Sequence, residues 1–516
     1  MPSERLQKKT TIAEGGLVET LDVLSLTRFP GRLAVSNNYE VGLSGGYRRI
    51  DGYVKYSTTE VSGTGAILGA AVFNSGVVVA REHASSGNTE VFFGTGSSWG
   101  SKINSDTRTA QGKHRFWRYN WNGTESIIGC DGGQYAFKYD GSTYTVLNGT
   151  GSPANPKFVT EFKDHMFFAG YSANSSGIIF SAPADETKFL TIDGGGEIIV
   201  GDEIMNIHVF RDMLIIFCKH SLHKLTGSSM FDFKVEPITE RLGCLASDSI
   251  VELGGELLFL APDGIRTIAA TEKIGDIELA SLTRDIQKRI ADCLSVSGSS
   301  NVVAVGVRTK NHYRMFCPTS SISVPDAAGV ILGLRKNSQG QLVWEAGALT
   351  GFKPSVVDSD FVGDDELVIH GSLDDGFIFK QESGNTFNGA NIPSSMNFVD
   401  DDFGDDTVRK VFHRLHMFYK PEGPISLTVK AILDYGDESI SQPLSFTITS
   451  GGGIGYYSSS SLYGTATYGT PTGAIQKHQH LIGSGIALSL QILSEDTNPS
   501  HSIQGYQTEF VIGDRR

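Results

Sequence analysis

The chain lacks any apolar run long enough to cross a membrane. Its longest, MLIIFC and LLFLA, hold six and five residues, against the ~20 that a helical span requires. Cysteine is scarce. The five present (Cys130, Cys218, Cys244, Cys293 and Cys317) are odd in number and show no C-x-x-C spacing, which argues against a disulfide framework or a zinc site. They read as small buried hydrophobes. Charge is sparse and unbalanced: Asp, Glu, Lys and Arg make up 19% of 516 residues, and the net charge is −14. That excludes a general nucleic-acid-coating protein, which needs a basic surplus. The opening MPSERLQKKTTIAEGG has no apolar h-region, so no signal peptide is expected. The sequons at Asn122, Asn148 and Asn174 are then expected to stay unmodified in a soluble protein made in a cytosol. No H-E-x-x-H, Walker A or EF-hand loop occurs, nor a WD, kelch or sialidase-type box.

Glycine is plentiful, at 61 residues, and spread evenly, which fits many turns better than a linker. A phrase recurs around these turns. In KDHMFFAGYSANSSGIIFSAP (163–183) a polar turn leads into an apolar run, a Gly/Asn/Ser loop follows, and a second apolar run closes the unit. Such runs read as hairpin strands. Asn74-Ser75-Gly76 leads into VVVA, Arg211-Asp212 into MLIIF, Gly254-Gly255 into ELLFLA, and Lys310-Asn311 into HYRMFC. The turns step 48 residues from Asp164 to Asp212, 43 to Gly255 and 56 to Asn311. A β-rich period of roughly 40–50 residues is what propeller blades produce. The expected fold is all-β: a propeller of six or seven blades over 61–390, the last blade closing with N-terminal strand, then a β-sandwich. Residues 1–60 read as an arm and hairpin, 391–406 as an acidic linker, and 407–516 as the sandwich. One helix is expected at Ser281–Leu294, N-capped by Ser281, with Leu282, Ile286, Ile290 and Leu294 on one face.

Candidates for chemistry are few. Gly96-Ser97-Ser98-Trp99-Gly100 matches G-x-S-x-G, but its surroundings are turn and polar loop, whereas a nucleophile elbow needs a strand before it and a helix after it. His220/His223 and His478/His480 are possible metal pairs, the second because alternate strand residues share a face. Asp400, Asp401, Asp402, Asp405 and Asp406 are oxygen-rich, so calcium, a solvated linker and an acidic channel lining all stay open. A paired-carboxylate glycosidase site cannot be located from spacing alone.

Gly15-Gly16-Leu17, then Asn37-Asn38-Tyr39-Glu40, then Gly45-Gly46-Tyr47-Arg48-Arg49-Ile50-Asp51-Gly52-Tyr53 resembles the opening of tail nozzle (tail tube, tail hub) proteins of short-tailed bacteriophages. The phrase VFRDMLIIFCKHSLHKLTG followed by GCLASDSIVELGGELLFLAPDGIRTI, and the closing strand TEFVIGDRR after GSGIALSLQIL, are similar too. The resemblance implies a virion tail protein: a homohexameric ring beneath a head-to-tail adaptor ring, ending the DNA channel and docking a tail fibre or tailspike. It implies no catalysis, no cofactor, no metal and no membrane span. Six copies at −14 each carry −84, and an acidic lumen repels DNA and keeps it moving. The expected lumen lining is Asp400, Asp401, Asp402, Asp405 and Asp406. The expected gate or subunit contact is Tyr456, Tyr457, Tyr463 and Tyr468. The expected adaptor-docking set is Lys8, Lys9, Arg28, Arg32, Arg48 and Arg49. Two other readings stay open: a tail adaptor or glycan-binding propeller, and a polysaccharide-degrading propeller enzyme.

Overall fold

A computed structural model describes residues 6–20, 25, 27–43, 45–109, 112–268, 281–321, 323, 328–450 and 475–513. Among them, seven small sheets succeed one another along the chain: blades I (64–94), II (115–146), III (158–199), IV (204–239), V (251–267), VI (303–350) and VII (354–381). Each is an antiparallel meander of strands adjacent in sequence. In blades I, III, IV, V and VII a two-residue turn joins the first two strands, as the pairs Phe73↔Gly76, Phe162↔His165, Phe210↔Met213, Leu253↔Glu256 and Val362↔Asp365 require. The turn residues have the left-handed backbone that such hairpins demand: Asn74 at φ 52°, Lys163 and Asp164 at 52° and 60°, Arg211 at 55°. The polar phrases at these points are therefore backbone signals.

Alternation along each strand supplies both neighbours. In the second strand of blade IV, Met213–Cys218, Leu214 and Ile216 pack toward blade III, while Ile215 and Phe217 pack toward blade V. This is the period of two that a sheet buried on both faces uses. Similar apolar clusters fill every interface, including VII against I, where Val356 and Ile369 meet Ile67, Val72 and Val79. The blades thus form a closed ring.

The N-terminal segment is a working part of both lobes. Five strands lie in it: β1 (Gln7–Ile12), β2 (Leu33–Asn37), β3 (Tyr39–Val41), β4 (Tyr47–Arg49) and β5 (Tyr53–Lys55). Strand β5 pairs with Ile378–Gln381 as the outermost strand of blade VII. Tyr53 stacks on Phe387 at 5.0 Å and meets the Phe352, His370 and Phe379 rings. Strands β1 and β4 pair with His501–Ile512, and β3 pairs with β4. With Lys410–Pro421 and Ile475–Gly485 they make one sheet of the sandwich. The second sandwich sheet runs β2, Ile392–Phe398, Leu488–Asp496, Ile425–Leu433, Phe446–Ser450. Through β2, whose Asn37 lies parallel to Ala348, it continues into blade VI as one nine-stranded sheet.

Three expectations are corrected here. Residues 391–406 are not a linker: Ile392–Phe398 is an interior strand, because its alternate residues Ile392, Ser394, Met396 and Phe398 are buried. Residues 1–60 are not a separate arm with a hairpin: four of their strands build the sandwich sheets and the fifth closes blade VII. The helix starts late, as a 3₁₀ turn at Arg284–Ile286 followed by α1 (Gln287–Ser297). Ser281 does not cap it, since it forms a lone bridge with Arg266 at the rim of blade V. Ile286, Ile290 and Cys293 bury against blades V and VI.

Candidate functional site: the central channel

The first strands of the seven blades surround a cavity of 730 Å³, a volume suited to a small ligand. Every blade contributes to its wall, for example through Ala70, Arg115, Val159, Asn206, Asp248, Val303 and Asp358. Ion pairs cross it at two levels. At the start of the blade II strand Arg115–Tyr119, the Arg115 guanidinium reaches both oxygens of Asp248, in the segment leading into blade V, at 2.7 and 3.0 Å, and Lys113 reaches the same carboxylate at 2.7 Å. Roughly 10 Å along that strand, three residues at ~3.3 Å each, Arg118 bonds Asp358 at 2.9 Å and Asp360 at 2.9 Å on blade VII. Asp358 also accepts the Val72 N–H of blade I at 2.8 Å.

Burial alone would push the Asp248 carboxyl up, but Arg115 and Lys113 together hold it well below the usual carboxylate range. Burial pulls Arg115 and Arg118 down, and their carboxylates more than offset this. Beside Arg118 the wall carries a polar, aromatic group: Trp117, with its ring edge-on to His208 at 5.9 Å, and Glu252 and Arg308. Burial lowers the His208 pKa, so the ring is neutral near pH 7. Glu252 is exposed and has no ion pair among the described residues. This end can offer a neutral polar ligand hydrogen bonds and an aromatic edge.

A second cluster joins the two lobes. Among the described residues, one group of three acids could by distance hold a metal: Glu40, Asp51 and Glu382, with oxygens within 4.8 Å of one another. The Lys310 ammonium takes the cation's place, 2.8 Å from Glu40, 2.9 Å from Asp51 and paired with Glu382. Arg314 bonds Glu40 at 3.0 Å and Glu382 at 2.6 Å, and Arg48 bonds Glu40, Asp51 and Glu422. Although burial opposes it, Lys310 and its cationic neighbours hold Glu40 well below the carboxylate range. The donor set suits an ammonium and two guanidiniums, not a free metal ion.

The residues expected to line a lumen all follow the sandwich strand Ile392–Phe398. Asp401 is fully buried against Lys9 at 2.6 Å, so it lines no surface. Burial raises the Asp400 pKa. The carbonyls of Asp402 and Asp405 cage the Lys410 ammonium. Tyr456, Tyr457, Tyr463 and Tyr468 fall outside the described residues. The docking set is mostly spent inside the chain. Lys8 pairs with Glu509, Lys9 with Asp401 and Arg32 with Asp285, while Arg49, 1% exposed, pairs with Asp496. Arg28 is exposed. Gly96–Gly100 is a turn pinned by the Trp99 indole on the Thr59 carbonyl at 3.1 Å. His220 lies beside Asp202 and His223 beside Ser221, while His478 faces His416 and His480 faces Arg414 across the ladder. The channel charges were passed over in the sequence, yet they leave a signal: charged residues inside first-strand runs, in RFWRY and VVDSDF.

No family model matches the chain, and no curated protein sequence matches it. Solved structures that resemble it include a Bacillus subtilis glycoside hydrolase family 43 arabinoxylan arabinofuranohydrolase (9% identity, TM-score 0.27, covering 88% of this chain and 97% of that one). Another is the Porphyromonas gingivalis type-IX secretion component PorZ (9%, 0.39, 82% and 60%). A third is a Phanerochaete chrysosporium exo-β-1,3-galactanase (9%, 0.26, 90% and 100%). The expectation of no catalysis is corrected by these comparisons, because glycoside hydrolases stand among the similar structures. At such identities and TM-scores, no activity is transferred from them.

Proposed function

We propose that the chain is a ring-forming subunit of the tail of a short-tailed phage, a nozzle around whose axis DNA passes and on which fibres or spikes dock. The observation that carries this reading is the nine-stranded sheet continuous from blade VI into the sandwich. With the Glu40–Lys310–Arg314 cluster it joins the two lobes into one body, suited to bear load in a ring. The lumen then lies between copies, because the propeller's own channel is crossed by ion pairs at two levels. The test is native mass with negative-stain imaging of the purified chain, alone and with emptied phage heads. A particle near six times 55.6 kDa with a central hole, in either arm, is the expected result. A monomer that also ignores the heads overturns the reading.

The Trp117–His208–Glu252 end of the channel favours a second reading, a propeller that binds or cleaves glycans there. A glycan panel read for binding and for released sugar tests it. A signal lost on Glu252→Gln supports this reading, and silence across the panel removes it.

A further inference from the structure

The outer face of one sandwich sheet carries a histidine group that neither proposed function uses. The strand Lys410–Pro421 is paired on one side with Ile475–Gly485 and on the other with His501–Ile512. Leu415, Met417 and Tyr419 point into the core, so His416 points outward. Tyr506 and Phe510 likewise point inward, and Gln507 and Glu509 outward. In the first ladder His416 stands directly opposite His478. In the second it stands opposite Gln507, with Glu509 two residues along on the same face. Directly opposed strand residues hold their Cβ atoms about 4.5–5.5 Å apart, and alternate residues share a face. Two imidazoles and a carboxylate, from three adjacent strands, therefore meet on one surface.

Their spacing suits a metal ion. His416 Nε2 lies 3.3 Å from Glu509 Oε1, and the two side chains are 12% and 6% exposed. Yet this buried nitrogen makes no hydrogen bond. Two ligands at about 2.0–2.1 Å from a tetrahedral zinc stand roughly 3.3 Å apart, so the pair forms one edge of a coordination tetrahedron. The Gln476 amide holds His416 Nδ1 at 3.0 Å. With the amide oxygen turned to Nδ1–H, it is the outer partner that orients a ligating imidazole and leaves Nε2 its lone pair. The ring centroids of His416 and His478 are 6.1 Å apart, against roughly 5 Å for two imidazoles on one zinc. His478 is exposed and makes no hydrogen bond among the described residues, so a small turn of its side chain closes the gap. One cation competes: the Lys8 ammonium, 55% exposed, sits 2.6 Å from the same Glu509 oxygen. His480, next on the His478 face, stands opposite Arg414, whose guanidinium disfavours a cation there.

We propose that His416, His478 and Glu509 bind a divalent transition metal ion of the zinc class, which ties Ile475–Gly485 to His501–Ile512 across Lys410–Pro421. Two imidazoles and one carboxylate, with a water completing the tetrahedron, favour zinc over calcium or magnesium, which take all-oxygen sets. Ile475–Gly485 is an edge strand, paired on one side only, so it is the element the ion holds most. Lys8 gives up Glu509 as the ion enters.

The test takes the full chain, free of any histidine tag and stripped with a chelator, and titrates it with Zn²⁺ by calorimetry. The expected result is one ion bound per chain, with Ca²⁺ giving no signal. His478→Asn and Glu509→Gln should each weaken Zn²⁺ binding by about 100-fold or more. His480→Asn should leave it unchanged, and Lys8→Gln should tighten it by removing the competing ammonium. Amide exchange over 475–485 should slow on adding Zn²⁺ to the wild type and stay unchanged in His478→Asn. The proposal is overturned if the wild type binds no Zn²⁺ in the micromolar range, or if His478→Asn binds it as tightly as the wild type. It is equally overturned if His220→Asn, at the other histidine pair, is the change that abolishes binding. His478 is exposed, so its variant folds and decides the matter even if Glu509→Gln does not.

Discussion

The propeller and the sandwich are both antiparallel β-structure, yet they are assembled in opposite ways. Within blades I to VI every ladder joins strands next to each other in sequence. In the sandwich, Gln7–Ile12 meets His501–Ile512, and Leu33–Asn37 meets Ile392–Phe398. Local ladders form early because little loop entropy opposes them, whereas distant ones must wait. In the sandwich the buried charges also join distant segments: Asp401 with Lys9, Arg49 with Asp496, and Glu40 with Lys310 and Arg314 of blade VI. Ion pairs between remote segments reward one register, and only when the segments arrive together.

The strongest way to break the contrast is to cut the charge cluster between the lobes. Glu40→Gln removes one of the three carboxylates around Lys310 and one of the two around Arg314 in a buried site, and is expected to lower stability by up to about 3–5 kcal/mol. Trp99, Trp117, Trp121 and Trp344 all lie in the propeller, so their fluorescence reports that lobe, and amide exchange over 501–512 reports the other. The two transitions should fall together in urea. A shift in one alone would show that the lobes unfold separately. Tyr53→Ala removes a fully packed ring from the closing strand and should be worth about 3–5 kcal/mol. Amide exchange should rise first in 53–55 and 378–381.

Acid probes both lobes with one chemistry. Burial takes His370, in the propeller, and His501, in the sandwich, down to about 3. Each stays neutral when folded and takes up a proton near pH 6.5 once unfolded. Stability is therefore full above that pH and falls as the pH drops through the window from 6.5 to about 3. Going from pH 6.5 to 5 should remove about 2 kcal/mol per histidine. His370→Phe, in the ring stack with Tyr53 and Phe379, should remove one histidine's share, about 2 kcal/mol, from the loss in a urea series across that range. The smallest expected effect is Lys8→Gln. It removes an exposed partner of Glu509, should change stability by about 0–1 kcal/mol, and by differential scanning calorimetry should be nearly silent.

What the sequence made legible follows the same division. The blades could be read because turn and strand lie within a few residues of each other: Asn74, Asp164 and Arg211 each mark a left-handed step before an apolar run. The sandwich strands after 407 also alternate, as ISLTVKAIL does with its buried odd positions. The N-terminal segment was not legible. Arg48-Arg49 in an irregular stretch looks like a docking patch, yet the partner of Arg49 is Asp496, 447 residues away. Asp400–Asp406 looks like a solvated run, because nothing nearby announces Lys9 or the burial of Asp401. The channel charges were half visible: RFWRY shows that a blade strand carries two arginines, but not that Asp248 and Asp358 face them.

The closing of blade VII by Tyr53–Lys55 against Ile378–Gln381 sets a timetable on the ribosome. The strand made first is the one placed last. Between the two segments lie more than three hundred residues, which at 5–20 residues per second take roughly 15 to 65 s to synthesise. Throughout that interval the nascent chain carries an unpaired β-segment while blades I to VI fold behind it. On a crowded polysome, the blade VII of a neighbouring chain further along in synthesis presents the same vacant edge. Fidelity therefore depends on the tether: each strand must find the blade at the end of its own chain before it finds another's.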